Sequence, residues 1–465
     1  MRRKTVFTFY YFSIFLLVFF VFTCKGFSQP DRSKPNIIFI LTDDQRWDAL
    51  GFADNEIIQT PNMDQLAREG VYFSRAFVTT PICAASRASI ATGMYERTHQ
   101  FTFNTPPLKK KFIEHSYFKK LKDEGYYTGF IGKFGMEFEN NMEKELFDEF
   151  DVYMPDFYYR LTGEGWGQHT YLTYITGNKA IKFLEKAPDD RPFCLNISFN
   201  APHAEDRSPE QYIYPEDLCD IYRDITIPPP VLADRKYFRD QPVFVKEGLN
   251  RIRWYWRFDN PHKYQKMVKG YYRMITAVDE VLGEIRAALD SLGLSKNTII
   301  IFTSDNGYFL GERGLAGKWL MYDNSLRVPF IIFDPSNHLK NNTVDRLILN
   351  IDIAPTILEL AGAKPDDKIQ GKSLVPLMQG NNSAWRTDFF IEHLYNLEFI
   401  PKSEGVRSEK WKYFRYIDHP EYEELYDLEN DPMEINNLIS DENYSDEVQL
   451  YREKCNDYIK KLIDR

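Results

Sequence analysis

The sequence contains 465 residues, of which 43% are hydrophobic, so it has enough apolar material for one large core or for a large domain and a smaller one. This composition excludes a disordered or fibrous protein. Its 58 Lys and Arg and 68 Asp and Glu residues give a formal charge of −10 without a long run of either sign, which argues against a protein that binds nucleic acid. Aromatic residues make up 16% of the chain, which suits a carbohydrate-facing surface and equally an aromatic-rich core.

The first 28 residues are predicted to be a signal peptide. Basic residues at 2–4 precede an apolar run over 6–22, and small residues surround the end of the segment. Cleavage after Ser28 predicts an exported protein, periplasmic or secreted, with no stable membrane span. A lipoprotein anchored at Cys24 is the less favoured alternative, because the bulky Phe22 lies near that thiol and Thr23 stands where Gly, Ala or Ser is expected.

Helical and strand patterns then alternate. The apolar stretch 37–41 has the length of a strand buried on both faces, and the helix pattern over 61–69 starts at Pro61 and stops at Gly70. Three further helices and three further strands follow the same rhythm, the helices at 114–124, 177–187 and 264–290 and the strands at 127–131, 192–199 and 298–302. This alternation predicts an α/β fold with a large, mixed, mostly parallel sheet flanked by helices.

The last part of the chain has a different pattern. Residues 411–416 resemble a hairpin strand, and a final helix is predicted over 446–463. We therefore expect three segments, namely the signal peptide 1–28, an α/β domain over 35–380 and a small antiparallel α+β subdomain over 381–465. The segments 136–176 and 204–262 are too long for ordinary connections and are expected to build walls around a site.

The five cysteines are too widely spaced for a disulfide scaffold or a zinc site. A bridge between Cys194 and Cys219 is left open.

Acidic residues follow two predicted strands where each strand ends. The first strand runs into Asp43 and Asp44, and the strand over 298–302 runs into Asp305 and Asn306. Because the carboxyl ends of parallel strands lie on one edge of a sheet, these side chains can meet there. Their oxygens form a hard donor set that suits Ca²⁺ or Mg²⁺ and not Zn²⁺. Either pair alone is typical of a strand-ending turn, but together they favour a metal site.

A third motif carries a family resemblance. In the segment 81–93, Cys83, Ser86 and Arg87 form the pattern Cys-x-x-Ser-Arg, and Thr-Gly follows. This segment resembles the signature of the type I sulfatases, the formylglycine-dependent members of the alkaline phosphatase superfamily. Further matches to that family occur in order along nearly the whole mature chain: 35–44, Gly132-Lys133, Ala201-Pro202-His203, 304–307, Lys318-Trp319 and 424–428.

The resemblance implies an alkaline phosphatase-like fold and oxidation of Cys83 to formylglycine (3-oxoalanine). When hydrated, formylglycine carries two hydroxyl groups. One attacks the sulfur of a sulfate ester, and the other, once deprotonated, expels sulfate and restores the aldehyde, a step that Ser or Cys lacks. The resemblance also implies bound Ca²⁺, in preference to Mg²⁺, with the following ligands: Asp43, Asp44, the group at Cys83, Asp305 and Asn306.

The family pattern implies roles for four basic residues. Arg87, one helical turn after position 83, would hold the two hydroxyl groups and offset negative charge. Lys133 and Lys318 would contact the sulfate oxygens, and His203 would protonate the leaving oxygen.

The chain departs from the family pattern at three places. Residues 134–136 lack a histidine that many relatives carry, Arg313 replaces another common histidine, and Ala85 stands where proline is common. The missing histidines put more weight on His203, and Ala85 leaves open which maturation system converts the cysteine. Four further residues are predicted to bind substrate: His99, Arg313, Glu392 and His393. His99 is also the second candidate, after His203, for the acid that protonates the leaving oxygen.

The sequence therefore predicts a sulfuric ester hydrolase that acts on a sulfated saccharide or polysaccharide. Its expected partners are the sulfated glycan and either a formylglycine-generating enzyme or an anaerobic sulfatase-maturing enzyme, with no nucleic acid. Two alternatives stay open. One is a phosphate mono- or diesterase of the same superfamily, and the other is a non-catalytic glycan-binding protein that keeps the fold and an unmodified Cys83.

Overall fold

An eight-stranded sheet forms the centre of the fold. The structure is a computed structural model that describes residues 34–153, 171–336, 342–381 and 384–463, so the predicted signal peptide and Cys24 lie outside the described residues. Across the sheet the strands lie in the order Asn342–Val344, Val71–Phe73, Phe330–Phe333, Thr298–Ser304, Asn36–Thr42, Phe193–Ser198, Tyr127–Gly132 and Glu149–Val152.

Five neighbouring strands of this sheet, from Thr298–Ser304 to Glu149–Val152, run parallel to one another. The strand Phe330–Phe333 pairs antiparallel with Thr298–Ser304, so the sheet is mixed and mostly parallel, and the predicted fold class is confirmed. In the register, Thr42 lies opposite Ser304, and Gly132 lies opposite Ser198. The strands therefore end together at one edge of the sheet.

The central strand Asn36–Thr42 is buried at every position because both faces of the sheet are covered. Ile37 and Phe39 belong to one hydrophobic core, whereas Ile38 and Ile40 belong to a second core on the other face. This alternation explains why the sequence shows a continuous apolar run and not a period of two.

Helices cover both faces and connect the strands. The α-helices span Pro61–Glu69, Cys83–Thr92, Glu96–His99, Lys110–Ile113, Tyr117–Asp123, Glu143–Leu146, Leu172–Lys186, Arg235–Arg239, Val243–Lys246, Leu249–Arg257, Pro261–Ser291, Asp323–Leu326, Ile353–Leu360, Val375–Met378 and Ser445–Ile463. The helix predicted over 61–69 has those same limits, since Pro61 suits the first helical position and Gly70 follows the last.

The helix Pro261–Ser291 begins three residues before its predicted start. The Asn260 side chain accepts a hydrogen bond from the amide of Lys263 at 3.0 Å, and this cap together with Pro261 extends the helix beyond its apolar stripe. Tyr271, Met274 and Val278 are buried on that stripe in the second core. The long helix thus covers the face of the sheet that carries Ile38 and Ile40.

The structure describes the whole of one of the two long segments predicted as walls and only part of the other. The segment 204–262 contains the helices Arg235–Arg239, Val243–Lys246 and Leu249–Arg257, and its role as a wall of the site stays a prediction. The last of these helices was missed because the residues that it buries, Asn250, Arg253 and Arg257, are polar or charged and give no signal of burial in the sequence. Of the segment 136–176, residues 154–170 lie outside the described residues.

The C-terminal part contains a four-stranded antiparallel sheet. Its strands lie in chain order, Asp388–His393, Ser403–Ser408, Trp411–Tyr416 and His419–Asp427, and the helix Ser445–Ile463 follows. From Lys34 onwards the described chain forms one compact unit, so the domain limit near residue 380 stays a prediction.

The four described cysteines are free. Cys194 is buried in the strand Phe193–Ser198, whereas Cys219 is exposed, so the bridge between them that the sequence left open is not formed.

Candidate active site

Asp43, Asp44, Asp305 and Asn306 meet at the edge where the parallel strands end. The amide of Asp44 donates a hydrogen bond to Oδ1 of Asp305 at 3.3 Å, and Nδ2 of Asn306 donates to Oδ1 of Asp44 at 2.6 Å. All four residues are buried. They converge because Thr42 and Ser304, which precede the two pairs, are direct neighbours in the parallel register.

The backbone after the first strand turns sharply at Asp44, which has a φ of 69° in the left-handed region. The hydroxyl group of Tyr271 donates to the carbonyl oxygen of Asp44 at 2.7 Å and accepts from the amide of Arg46 at 3.0 Å. The long helix therefore supports the turn that directs the Asp44 side chain.

Cys83 is the first residue of the helix Cys83–Thr92, and Arg87 lies one turn further along the same helix. The guanidinium of Arg87 donates from Nε to Oδ2 of Asp305 at 2.9 Å and from Nη1 to the carbonyl oxygen of Lys133 at 2.7 Å. Nη1 also donates to the hydroxyl group of Ser198. Arg87 thus joins the helix that carries Cys83 to three strand ends.

Two lysine side chains complete the buried cluster. Nζ of Lys133 donates to Oδ2 of Asp43. Nζ of Lys318 donates to Oδ1 of Asp44 at 2.5 Å and lies 3.6 Å from Oδ1 of Asp43. Each ammonium group lies beside a carboxylate of the opposite charge, which is the arrangement that makes burial of charge tolerable.

His203 lies at the outer side of this cluster. Its Nε2 is 3.7 Å from Oδ2 of Asp44, and 24% of its side chain is exposed, whereas the Asp44 side chain is almost fully buried. His203 is therefore accessible from solvent and also next to the acidic cluster.

Neighbouring charges and burial give the two buried acidic groups Asp43 and Asp305 different pKa values. Burial alone would raise the pKa of Asp43, but Lys133 and Lys318 lower it well below its usual value. Burial and the neighbouring Asp43 raise the pKa of Asp305 to about 6. Burial also lowers the pKa of His203 to about 4. At neutral pH the Asp43 carboxyl is therefore ionised.

The donor atoms fit a divalent cation. Oxygen atoms of Asp43 and Asp44 and a ring nitrogen of His203 lie within 4.8 Å of one another. Oδ1 of Asp43 and Oδ1 of Asn306 are buried without a hydrogen-bond partner in the described part of the chain. Buried oxygen atoms are rarely left unpaired, so a hard cation would satisfy an evident deficit. The predicted ligands Asp305 and Asn306 adjoin this group, whereas His203 is a candidate ligand that the sequence did not suggest.

Comparison with known families identifies the chain. A family profile described as Sulfatase matches residues 35–363. A second profile, described as N-sulphoglucosamine sulphohydrolase, C-terminal, matches residues 311–461. The chain belongs to the sulfatase family.

Individual relatives of this sulfatase are similar over most of their length. An arylsulfatase of Clostridium perfringens is 29% identical, and the match covers 92% of this chain and 94% of the relative. An N-acetylglucosamine-6-O-sulfatase of Bacteroides thetaiotaomicron is also 29% identical, with 91% and 86% covered. A solved structure titled as a complex with its substrate D-glucosamine-2-N,6-O-disulfate has a TM-score of 0.78 and 26% identity, covering 93% of this chain and 99% of that one.

Three residues near the cluster of this sulfatase were not predicted. Ser198 accepts from Arg87, Tyr271 holds the Asp44 turn, and Asn250 donates from Nδ2 to the carbonyl oxygens of Ala316 and Lys318 at 3.1 and 2.9 Å. Ser198 could have been found, since it ends a strand parallel to Asn36–Thr42. Tyr271 and Asn250 lie on helices that no motif links to the site.

The departure from the family pattern after Lys133 has a visible packing consequence. Gly135 has a φ of +67°, and a Cβ atom at this position would lie 2.8 Å from Cδ of Arg87. A side chain at residue 135 would therefore require either the Arg87 side chain or the backbone to shift.

The residues predicted to bind substrate make internal contacts. Nε2 of His99 lies 3.0 Å from the hydroxyl group of Ser89, and Nδ1 accepts from the amide of Phe101 at 3.1 Å. Nη2 of Arg313 donates to the carbonyl oxygens of Met433 and Glu434, at 2.6 Å in both cases. These contacts hold His99 and Arg313 within the fold, so substrate binding by them stays a prediction.

Glu392 and His393 are adjacent on the first strand of the C-terminal sheet. Glu392 accepts from the amide and from Nε of Arg97 at 2.9 and 3.0 Å. His393 is fully buried, and burial lowers its pKa to about 3. Substrate binding by Glu392 and His393 likewise stays a prediction.

No helix within the described ranges is long and apolar enough to cross a membrane.

Proposed function

We propose that this sulfatase is an exported enzyme that removes sulfate from a sulfated saccharide or polysaccharide with a formylglycine formed from Cys83. One observation carries the proposal. Cys83 is buried at the start of the helix whose Arg87 lies 2.7 Å from the carboxylate of Asp305. The amide of Trp319, the residue after Lys318, donates to the carbonyl oxygen of Pro81, two residues before Cys83, at 3.2 Å, so the position of Cys83 adjoins those of Asp305 and Lys318. A sulfate ester is negatively charged, so a nucleophile surrounded by fixed cations suits its hydrolysis.

The proposed activity requires two groups besides the twenty standard side chains, namely formylglycine at position 83 and a bound Ca²⁺. Formylglycine at position 83 would supply a hydrated aldehyde, whose hydroxyl groups allow attack on sulfur and later release of sulfate. Ca²⁺ would be held by Asp43, Asp44, Asp305 and Asn306 together with the group at position 83, and it would draw electron density from the sulfate oxygens. Conversion of Cys83 requires a formylglycine-generating or anaerobic sulfatase-maturing enzyme as a partner.

The basic side chains orient the substrate. Lys133 follows the strand Tyr127–Gly132 of the large sheet, whereas Lys318 follows the short strand Ala316–Gly317 of a separate two-stranded sheet. Their ammonium groups contact Asp43 and Asp44 respectively, so they can bind two sides of one sulfate group. Arg87 is on the same helix as Cys83 and contacts Asp305. In this proposal its guanidinium holds the formylglycine at position 83. These contacts exist before substrate binds, which reduces the reorganisation needed in the transition state.

His203 is the proposed acid for the leaving oxygen. Its side chain is 24% exposed, more than the 10% of Lys133, and the leaving saccharide must depart toward solvent. The anionic substrate would favour the protonated imidazole by placing negative charge beside it.

A sulfated glucosamine is the first substrate to test. This choice is supported by the relative named as an N-acetylglucosamine-6-O-sulfatase and by the similar structure titled with D-glucosamine-2-N,6-O-disulfate. The alternative is hydrolysis of a phosphorus ester. A phosphonate monoester hydrolase of Agrobacterium radiobacter has a TM-score of 0.74 at 23% identity, which reflects the shared fold alone.

The test uses enzyme produced in a host that converts the signature cysteine. Sulfate release from sulfated mono- and disaccharides and from 4-nitrophenyl sulfate is compared with phosphate release from 4-nitrophenyl phosphate. We expect sulfate esters to be preferred by at least about 100-fold in kcat/KM, and Cys83→Ala to abolish sulfate release while the protein stays folded. A preference for the phosphate ester would support the alternative, and full activity of Cys83→Ala would exclude the proposed nucleophile.

A further inference from the structure

Exposed apolar side chains are presented by the segment of Phe103 and by residues 395–399. Phe103, Leu397 and Phe399 are 49%, 38% and 50% exposed. The ring of Phe103 meets the ring of Tyr395 edge to face at a centroid distance of 5.3 Å. We call these four residues, Phe103, Tyr395, Leu397 and Phe399, the aromatic rim. Grouped exposed apolar side chains of this kind commonly mark a binding surface.

The aromatic rim is in contact with residues that flank the proposed catalytic groups. Tyr395 packs against a small buried cluster that includes Ile82 and Trp319. Ile82 directly precedes Cys83, and Trp319 directly follows Lys318. The rim therefore adjoins the nucleophile position and one of the lysines through one layer of side chains.

Hydrogen bonds hold the rim in place from two sides. The amide of Asn396 donates to Oδ1 of Asn104 at 2.8 Å, which ties the segment of Tyr395 to that of Phe103. The amide of Leu249 donates to the carbonyl oxygen of Phe399 at 2.9 Å, at the start of the helix that carries Asn250. The exposed rings are thus presented by a fixed backbone and not by a free loop, which suits a preformed binding surface.

We propose that the aromatic rim binds the saccharide part of the substrate through the apolar faces of its sugar rings. This inference rests on the proposed function. If the sulfate group is bound among Lys133, Lys318 and Arg87, the remainder of the substrate must extend out of that buried cluster. Ile82 and Trp319 are themselves buried, at 2% and 4% exposed, and Tyr395 of the exposed rim packs against the cluster that contains them. Aromatic rings bind flat apolar surfaces in water without needing a charge.

The proposal predicts that the rim affects which substrates bind and leaves the hydrolysis step itself unchanged. The four rim side chains carry no charge, and the exposed Glu398 lies between Leu397 and Phe399 in the sequence. Loss of a ring should therefore weaken binding of a saccharide substrate, whereas a small aryl sulfate that stays within the buried cluster should be unaffected. One aromatic contact contributes about 1 kcal/mol, which corresponds to about a fivefold change in affinity.

The experiment compares Phe103→Ala and Phe399→Ala with a matched control. Tyr422 is 40% exposed and also forms an edge-to-face pair, with Phe244 at 5.3 Å, on the last strand of the C-terminal sheet. The substrates are the sulfated disaccharide with the highest kcat/KM and 4-nitrophenyl sulfate. We expect each rim variant to lower kcat/KM for the disaccharide about fivefold, mainly through KM, with little change for the aryl ester and none for Tyr422→Ala.

Other outcomes contradict the proposal. An equal loss for both substrates would assign the rim a structural role, and no loss for the disaccharide would exclude saccharide binding there. The binding of the same disaccharides to the Cys83→Ala protein and to Cys83→Ala/Phe399→Ala is measured in parallel by calorimetry. If the wild type releases no sulfate, the proposed function fails, but the calorimetric difference still decides whether the rim binds saccharide. Equal affinities of the two proteins, or no binding by either, would overturn the inference.

Discussion

Asp44 and Asp305 are 261 residues apart in the sequence, and the amide of Asp44 donates a hydrogen bond to the carboxylate of Asp305 at 3.3 Å. The parallel pairing of Thr42 with Ser304 brings these residues together, since Asp305 directly follows Ser304 and Asp44 comes two residues after Thr42. The acidic cluster is therefore a property of the sheet register. A sequence change that shifted either strand would disperse the cluster even if every acidic residue were kept.

Metal removal should inactivate the enzyme. Asp43 and Asp305 are buried near each other, and Oδ1 of Asp43 has no hydrogen-bond partner in the described chain, so a bound cation should stabilise the folded state. A ligand that is present at 100 times its Kd stabilises by about 2.7 kcal/mol. We expect chelation to lower the thermal unfolding midpoint and to abolish sulfate release, and Ca²⁺ to restore both better than Mg²⁺. Full activity of enzyme shown to be metal-free by elemental analysis would contradict the calcium assignment.

Lys318→Ala should be strongly impaired. The substitution removes the ammonium group from buried Asp44 and from the proposed sulfate site, so we expect kcat/KM to fall by at least about 100-fold. An unpaired buried carboxylate should also lower the free energy of unfolding by about 3 kcal/mol in the absence of metal. The exposed pair of Lys410 with Glu429 provides the control, since Lys410→Ala should change neither quantity appreciably. Equal kinetics of the two variants would exclude Lys318 from the site.

Asn250→Ala tests how Lys318 is positioned. Nδ2 of Asn250 donates to the carbonyl oxygens of Ala316 and Lys318, and each lost hydrogen bond costs about 1 kcal/mol. We expect KM to rise and inhibition by inorganic sulfate to weaken about fivefold, with a smaller change in kcat. An unfolding midpoint that falls while the sulfate inhibition constant stays constant would assign Asn250 a purely structural role.

His393→Phe should stabilise the protein most at acid pH. Burial lowers the pKa of His393 to about 3, while the unfolded side chain titrates near 6.5, so protons bind the unfolded state more tightly. The wild type should lose stability as pH falls below about 6.5, by about 1.4 kcal/mol per pH unit, and the variant should lose less. The free energy of unfolding of the variant and of the wild type is measured at pH 7.5 and at pH 5.0. The variant's advantage over the wild type should be about 2 kcal/mol larger at pH 5.0 than at pH 7.5. A constant difference would contradict the buried neutral imidazole.

Kinetics of His393→Phe answer a second question. His393 is predicted from the sequence to bind substrate, yet it is fully buried. An unchanged KM for the sulfated saccharide would remove it from the binding site, whereas a raised KM would keep that prediction.

The sequence predicts the central features well because they depend on local patterns. Buried strands such as Asn36–Thr42 are recognised from continuous apolar runs, and their acidic ends follow at once in the chain. Arg87 is placed near Cys83 by helical spacing alone. These relationships need only strand order and the parallel direction of the strands to be correct.

Long-range supports could not be predicted in the same way. Tyr271 contacts the Asp44 turn from a helix that begins more than two hundred residues later, and its position in an apolar stripe indicates only burial. Asn250 acts through backbone carbonyl oxygens, which carry no sequence signal. Arg313 was predicted to contact substrate because it stands where a histidine is common in the family. Its internal partners, the carbonyl oxygens of Met433 and Glu434, are set by tertiary packing that the sequence does not show.

The most direct test of the central claim is the chemical identity of residue 83 in active enzyme. Mass spectrometry of the peptide that contains this residue, taken from a preparation that releases sulfate, should show an aldehyde that reacts with a hydrazide probe. A preparation that hydrolyses sulfate esters at full rate while every copy of residue 83 remains an unmodified cysteine would contradict the account.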